Sequence, residues 1–64
     1  MNGYERIKQL KSDHGSVSRV VVAIFNDFTD RRGLRQEFDQ IDDETQVEII
    51  NAWIELVRKE LVNP

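Results

Sequence analysis

Apolar residues recur at three- and four-residue intervals through the middle of the chain. The spacing i, i+3, i+4, i+7, i+8, i+11 describes the positions of Val17, Val20, Val21, Ile24, Phe25 and Phe28. It matches one face of an α-helix. The run of β-branched valines favours a strand, but a half-buried strand requires alternation, and Phe25 and Phe28 have opposite parity. The spacing therefore predicts a helix over residues 17–31, with Ser16 as its N-cap.

Two shorter periodic segments flank this helix. A narrow stripe of Tyr4, Ile7 and Leu10 predicts a loosely held first helix over residues 4–13. Gly15 follows this helix and is expected to end it in the left-handed conformation, which glycine adopts without steric cost. After a polar joint at residues 29–33, the apolar positions Leu34, Phe38 and Ile41 predict a short helix of about two turns.

The last helix is predicted over residues 44–61 or 44–62. Asp42 or Asp43 can cap its first N–H groups, and Asp43 with Gln46 has the spacing of a capping box. Asn63 and Pro64 are expected to end it. The sequence thus predicts an all-α fold, a small helical bundle of three main helices plus a short helix before the last, as a single domain over residues 1–64. The predicted core consists of Val20, Val21, Ile24, Phe25, Phe28, Leu34, Phe38, Ile41, Val47, Ile50, Ile54 and Val57.

The last helix carries more apolar surface than one packing face requires. One stripe is formed by Val47, Ile50, Ile54, Val57 and Leu61, and a second by Ile49, Trp53 and Leu56. Together they cover about half of the helix circumference, whereas packing on one side requires an arc of about 100°. The second stripe either is covered by the first helix, with Trp53 in the core, or forms an exposed contact surface. We expect the contact surface, with interface residues Ile49, Trp53 and Leu56 and a polar rim at Glu60.

Charge is distributed unevenly along this acidic chain, whose net charge is −3. Residues 1–35 carry seven basic and four acidic side chains, a balance of +3, whereas residues 36–64 carry two basic and eight acidic ones, a balance of −6. This asymmetry suits the association of two copies, basic end against acidic end, and is equally compatible with an ordinary mixed surface.

The composition also bounds the cellular setting. The chain contains no cysteine, which suits a reducing compartment. The longest unbroken apolar run, VVVAIF, is far shorter than the roughly 20 residues that span a bilayer. We expect a cytoplasmic protein without membrane association, of the kind encoded by bacteria or phages.

Residues that carry chemistry are sparse, and we expect no enzymatic activity, no cofactor and no metal site. The segment DQIDDE lacks the alternating oxygen ligands and the turn glycine of an EF-hand calcium loop. His14, the only histidine, has no evident orienting partner. No glycine-rich phosphate loop or nucleophile elbow is present, and no small-molecule substrate is evident.

Two further hypotheses concern nucleic acids. Arg31, Arg32 and Arg35 form a compact basic patch that can contact phosphate or an acidic partner. Direct nucleic-acid binding is disfavoured, because the chain is acidic overall and Glu37 and Asp39 follow where a recognition helix carries basic or amide residues. Alternatively, an acidic face could imitate DNA and inhibit a nucleic-acid-binding protein; its carboxylates would be Glu37, Asp39, Asp42, Asp43, Glu44, Glu48 and Glu55.

The sequence therefore favours a non-enzymatic protein–protein interaction module that forms a homodimer through its C-terminal helix. The small acidic inhibitor of a nucleic-acid-binding protein is the alternative. These two hypotheses differ in where the partner docks, on the second apolar stripe or on a carboxylate surface.

Overall fold

The computed structural model describes residues 1–62, and over this range it consists of helices α1 (Gly3–Lys11), α2 (Ser16–Thr29), α3 (Leu34–Gln40) and α4 (Asp43–Val62). The predicted all-α bundle, with three main helices and a short one before the last, is confirmed. The expected role of Asn63 and Pro64 in ending the last helix lies outside the described residues. No helix of the described range is both long and apolar enough to cross a membrane.

Helix α1 begins with a capping box. The Asn2 side chain accepts a hydrogen bond from the Glu5 N–H, and the Glu5 carboxylate accepts one from the Asn2 N–H. Ile7 and Leu10 are buried in the core, so the prediction that this helix is loosely held is wrong. Its narrow stripe is sufficient because the buried Gly3 also lies against the core, where an added Cβ would approach Phe38 Cζ to 2.7 Å.

The turn between α1 and α2 differs from the prediction in two ways. Gly15 has a φ of −69°, so it does not end α1 in the left-handed conformation; it is the N-cap residue of α2. Ser16 is consequently the first residue of α2 and not its N-cap. The polar groups of this turn are held by Asp13, whose carboxylate accepts hydrogen bonds from the Gly15 N–H at 3.0 Å and from the Ser18 hydroxyl at 2.9 Å.

Helices α1, α2 and α4 pack against one another, and α3 packs against α2. The Tyr4 ring contacts Phe25 near the far end of α2, with centroids 5.4 Å apart, while Asp13 meets Ser18 near its start, so α1 and α2 are antiparallel. Hydrogen bonds from α1 to Gln46 and then to Asn51 show that α4 runs parallel to α1. Helices α2 and α4 are therefore antiparallel neighbours.

Gln46 ties three elements together in the interior. Its side-chain oxygen accepts from the Gly3 N–H at 2.9 Å, and its amide nitrogen donates to the carbonyls of Phe38 at 2.9 Å and Ile41 at 3.1 Å. The prediction that Gln46 forms a capping box with Asp43 is therefore wrong. Asp42 caps α4, accepting from the Thr45 N–H at 3.0 Å and the Thr45 hydroxyl at 2.8 Å.

The core is smaller than predicted and centred on different residues. Its buried apolar members are Ile7, Leu10, Val21, Phe25, Phe38, Ile50 and Ile54. Three residues assigned to the core from the sequence are exposed: Val20 (39%), Ile24 (43%) and Leu34 (41%). The wide apolar arc of α2 suggested contacts on several sides, whereas one side of the helix faces outward.

Candidate interaction surfaces

Trp53 lies at the junction of α2 and α4, half-buried against the core. Its ring packs edge-on against Phe28, with centroids 5.8 Å apart, and lies 6.5 Å from the Phe25 centroid. Part of the ring therefore supports the fold, as the core alternative for Trp53 supposed. The rest of the Trp53 side chain is exposed to solvent.

The other residues of the second apolar stripe become progressively more exposed along α4. Ile49 is half-buried against the core. Leu56 is 61% exposed, so the alternative in which the first helix covers it is wrong. Glu60 is exposed one turn after Leu56 on α4. Leu56 is therefore the apolar side chain of the stripe with the most surface available to bury.

Helix α2 adds apolar residues to this surface that the sequence reading had placed in the core. Ile24 lies one turn before Phe28 on α2, and Leu56 lies one turn after Trp53 on α4. Since Phe28 contacts Trp53, both exposed side chains flank the same inter-helix contact. Together Val20, Ile24, Ile49, Trp53 and Leu56 form a surface that we call the α2–α4 face. The sequence contains a sign that some apolar residues of α2 are exposed, because the apolar arc of this helix is wider than one packing face requires.

The α2–α4 face lies on the opposite side of the bundle from α1. At about 100° per residue, Ile24 is roughly 160° around α2 from Asn26, which lines a depression together with Lys8 and Lys11 of α1. Leu56 is roughly 140° around α4 from Asn51, which accepts a hydrogen bond from Arg6 of α1. Beside the face, a shallow depression of about 390 Å³ on α2 is lined by Ser16, Arg19, Val20 and Ala23.

The three arginines predicted to contact phosphate or an acidic partner lie at the joint between α2 and α3. Gly33 turns the chain there with a φ of +94°. Arg31 pairs with Asp27 one turn earlier, at 3.1 Å, and both side chains are largely exposed. Arg31, Arg32 and Arg35 line one depression of about 350 Å³, which brings the predicted patch together as one surface.

A larger depression adjoins this patch and draws on α1. It has a volume of about 560 Å³ and is lined by Tyr4, Ile7, Lys8, Lys11, Phe25, Asn26, Thr29 and Arg35. The two depressions share Thr29 and Arg35, so we treat them as one feature, the basic groove. Sequence reasoning missed Lys8 and Lys11 because only the antiparallel packing of α1 on α2 brings them near the arginines.

The Tyr4 hydroxyl donates a hydrogen bond to Asp39 at the edge of the basic groove. Burial and the neighbouring Asp39 carboxylate raise the pKa of Tyr4, while the nearby Arg35 guanidinium acts in the opposite direction. The phenol is thus held protonated as a donor, and Asp39 is engaged within the chain.

The carboxylates proposed for a nucleic-acid mimic are divided between internal and external roles. Asp39 accepts from Tyr4, Asp42 caps α4, and Glu55 pairs with Arg58 at 2.7 Å. Asp43, Glu44 and Glu48 line a depression with Met1 and Val47 near the start of α4. Within residues 1–62, no group of three or more His, Cys, Asp or Glu side chains is arranged to hold a metal ion. No protein-family model, no curated protein sequence and no solved structure matches the chain.

Proposed function

We propose that this chain is a non-enzymatic protein-interaction module that pairs with a second copy of itself through the α2–α4 face. The observation that carries the proposal is the outward-facing apolar surface around the Trp53–Phe28 contact, with Leu56 61% and Ile24 43% exposed. Partly buried tryptophan surrounded by exposed aliphatic side chains is typical of the energetic centre of an interface.

Charge complementarity supports a second copy as the occupant. On the α2 side of the face, Arg19 lines a depression together with Val20, whereas on the α4 side the exposed Glu60 lies one turn after Leu56. A two-fold dimer presents the same surface from both subunits. Setting α2 of one copy against α4 of the other brings basic groups toward acidic groups, while α2 against α2 brings like charges together. We therefore favour the α2-against-α4 arrangement.

The helices are long enough to support such a contact. Helix α2 has 14 residues and α4 has 20, corresponding to about 21 Å and 30 Å of helix. An interface of standard size buries about 800 Å² on each partner, about one sixth of the 4726 Å² accessible surface of this protein. One side of two adjacent helices supplies an area of this order.

The test compares two leucine-to-glutamate variants by sedimentation. Leu56→Glu places a charge in the proposed interface, and Leu61→Glu makes the same chemical change at a residue of similar exposure, 55% against 61%, outside the α2–α4 face. We expect the wild type and Leu61→Glu to sediment as dimers at high micromolar concentration and Leu56→Glu as a monomer. A wild type that stays monomeric, or equal behaviour of the two variants, would refute the proposal.

A second candidate function uses another part of α4. Asp43, Glu44 and Glu48 surround Val47 at the start of the helix, with a depression of about 460 Å³ beside them. This arrangement favours an acidic contact with a basic, nucleic-acid-binding partner. Such binding would weaken steeply with salt and would be lost in Glu44→Gln/Glu48→Gln but retained in Leu56→Glu. The reverse pattern would exclude this acidic surface.

A further inference from the structure

We propose that the basic groove between α1, α2 and α3 binds a compact polyanion with clustered phosphate groups. The walls of the two joined depressions contain five cationic side chains and two carboxylates, a balance of +3 in a protein of net charge −3. The cations are Lys8, Lys11, Arg31, Arg32 and Arg35. Positive charge is thus concentrated in a concave surface on the side of α2 away from the α2–α4 face.

Most of these cations form no ion pair among the described residues. Among residues 1–62 the ion pairs within 4.0 Å are Arg31 with Asp27 and Arg58 with Glu55. Lys8, Lys11 and Arg35 therefore face the groove without an ion-pair partner in this range. Of the two carboxylates in the walls, Asp39 is bound by the Tyr4 hydroxyl. An external anion would relieve the repulsion among the cations and gain charge-assisted hydrogen bonds.

The groove supplies neutral donors beside the charges. Asn26 lines the larger depression and Gln36 the smaller one. The Gln36 side-chain oxygen accepts from the Gly33 N–H at 2.8 Å, so its amide NH₂ points away from that bond and remains available to donate. Phosphate oxygens accept from guanidinium, ammonium and amide donors together, which matches this set.

The size and surroundings of the groove favour a compact ligand over a polymer. Its two parts have volumes of about 560 Å³ and 350 Å³, and small-molecule sites typically measure about 300–1,000 Å³. A nucleic acid longer than the groove would extend onto the rest of the protein, whose charge balance is −6 because the groove carries +3 of a net −3, and its phosphates would be repelled there. A pyrophosphate-sized group avoids that repulsion.

Titration of ¹⁵N-labelled protein with inorganic pyrophosphate at low ionic strength tests the proposal. We expect saturable shifts of the backbone amides of Lys8, Lys11, Thr29 and Arg35. The double variant Lys8→Gln/Arg35→Gln removes two exposed cations from the groove and should weaken binding at least about tenfold, because two charge-assisted hydrogen bonds to the ligand are lost.

The matched control is Arg58→Gln/Lys59→Gln, which changes the net charge equally at exposed positions on α4. It should leave the affinity for pyrophosphate within about twofold. Equal weakening in both double variants, or shifts spread outside the groove, would overturn the proposal. The proposal would also be overturned if a short single-stranded oligonucleotide or a glutamate-rich peptide saturated the groove and pyrophosphate did not. The monomeric Leu56→Glu variant should bind pyrophosphate normally, which separates this site from the proposed dimer.

Discussion

Gln46 shows how one polar residue can organise a small interior. It is 3% exposed, yet its side chain makes three hydrogen bonds, to the start of α1 and to the end of α3. Within residues 1–62, no buried side-chain nitrogen or oxygen lacks a hydrogen-bond partner. Because buried polar groups are costly when unpaired, this residue specifies how α1 and α3 dock on α4.

Replacing Gln46 with leucine should destabilise the fold strongly. The Gly3 N–H and the Ile41 carbonyl would lose their Gln46 partner, while the Phe38 carbonyl would keep its hydrogen bond from the Ile41 N–H. Each buried unsatisfied group costs about 1–3 kcal/mol. We expect a loss of about 3 kcal/mol in the free energy of unfolding, measured by urea denaturation. Gln40→Leu, at an exposed position of α3, is the control and should change it by less than about 0.5 kcal/mol. Similar losses in the two variants would contradict the role assigned to Gln46.

The sequence could not reveal this role of Gln46. Its spacing from Asp43 matches a local capping box, and local spacing is the information that a sequence displays. The observed partners lie 43, 8 and 5 residues away, and they become neighbours only after three helices have packed. Asp42 was identifiable as a cap because its partner Thr45 is local.

At the scale of the element, α2 shows that the periodic pattern predicted the helix but not which of its residues are buried. Helical periodicity correctly predicted the helix against the β-propensity of its valines. The apolar arc is wider than the buried side, however, so periodicity alone did not identify which valines are buried. Val21 is fully buried, Val22 is half-buried and Val20 is 39% exposed. The excess arc becomes the α2 half of the α2–α4 face.

Adjacent valines on α2 give a direct test of this division. Val21→Ala should lower the free energy of unfolding by about 2 kcal/mol, because it leaves a cavity in the core. Val20→Ala should cost nothing or stabilise slightly, because the side chain is exposed and alanine has the higher helix propensity. Thermal or urea unfolding under conditions that keep the protein monomeric would measure both. A larger loss for Val20→Ala would show that the orientation of α2 is wrong.

The start of α4 should respond to acid through Asp42. Hydrogen bonds from the Thr45 hydroxyl and the Thr45 N–H lower the pKa of Asp42 below its usual value of 3.8. A lowered folded-state pKa contributes stability that is present above the unfolded pKa and is lost as the pH falls through the folded pKa. The stability advantage of the wild type over Asp42→Ala should therefore be full near pH 6 and shrink below about pH 3.8. Urea denaturation across this range tests it, and a pH-independent difference would contradict it.

At the scale of the whole molecule, the fold leaves two surfaces on opposite sides of α2. One is the α2–α4 face, which is apolar, and the other is the basic groove, where cations of α1, α2 and α3 meet. The sequence indicated both through the second apolar stripe and the three arginines. The α2–α4 face also includes Val20 and Ile24, and the basic groove also includes Lys8 and Lys11. These additions depend on helix packing, which local patterns do not encode.

The core itself is thin for an independent domain. Within residues 1–62, seven apolar residues are buried, and a chain of about 60 residues buries only about 60% of its unfolded surface. Association with a second copy would add stability by mass action. It would also cover the side chain of Leu56, which is 61% exposed in the monomer.

The most direct test of the central claim is to observe contacts between two copies. In a mixture of isotope-labelled and unlabelled protein at high concentration, an isotope-filtered nuclear Overhauser experiment reports only proximities across the interface. The proposed dimer predicts cross-copy signals from the methyl groups of Val20 and Ile24 to Leu56 and to the Trp53 ring. A complete lack of cross-copy signals, or signals confined to residues outside the α2–α4 face, would contradict it.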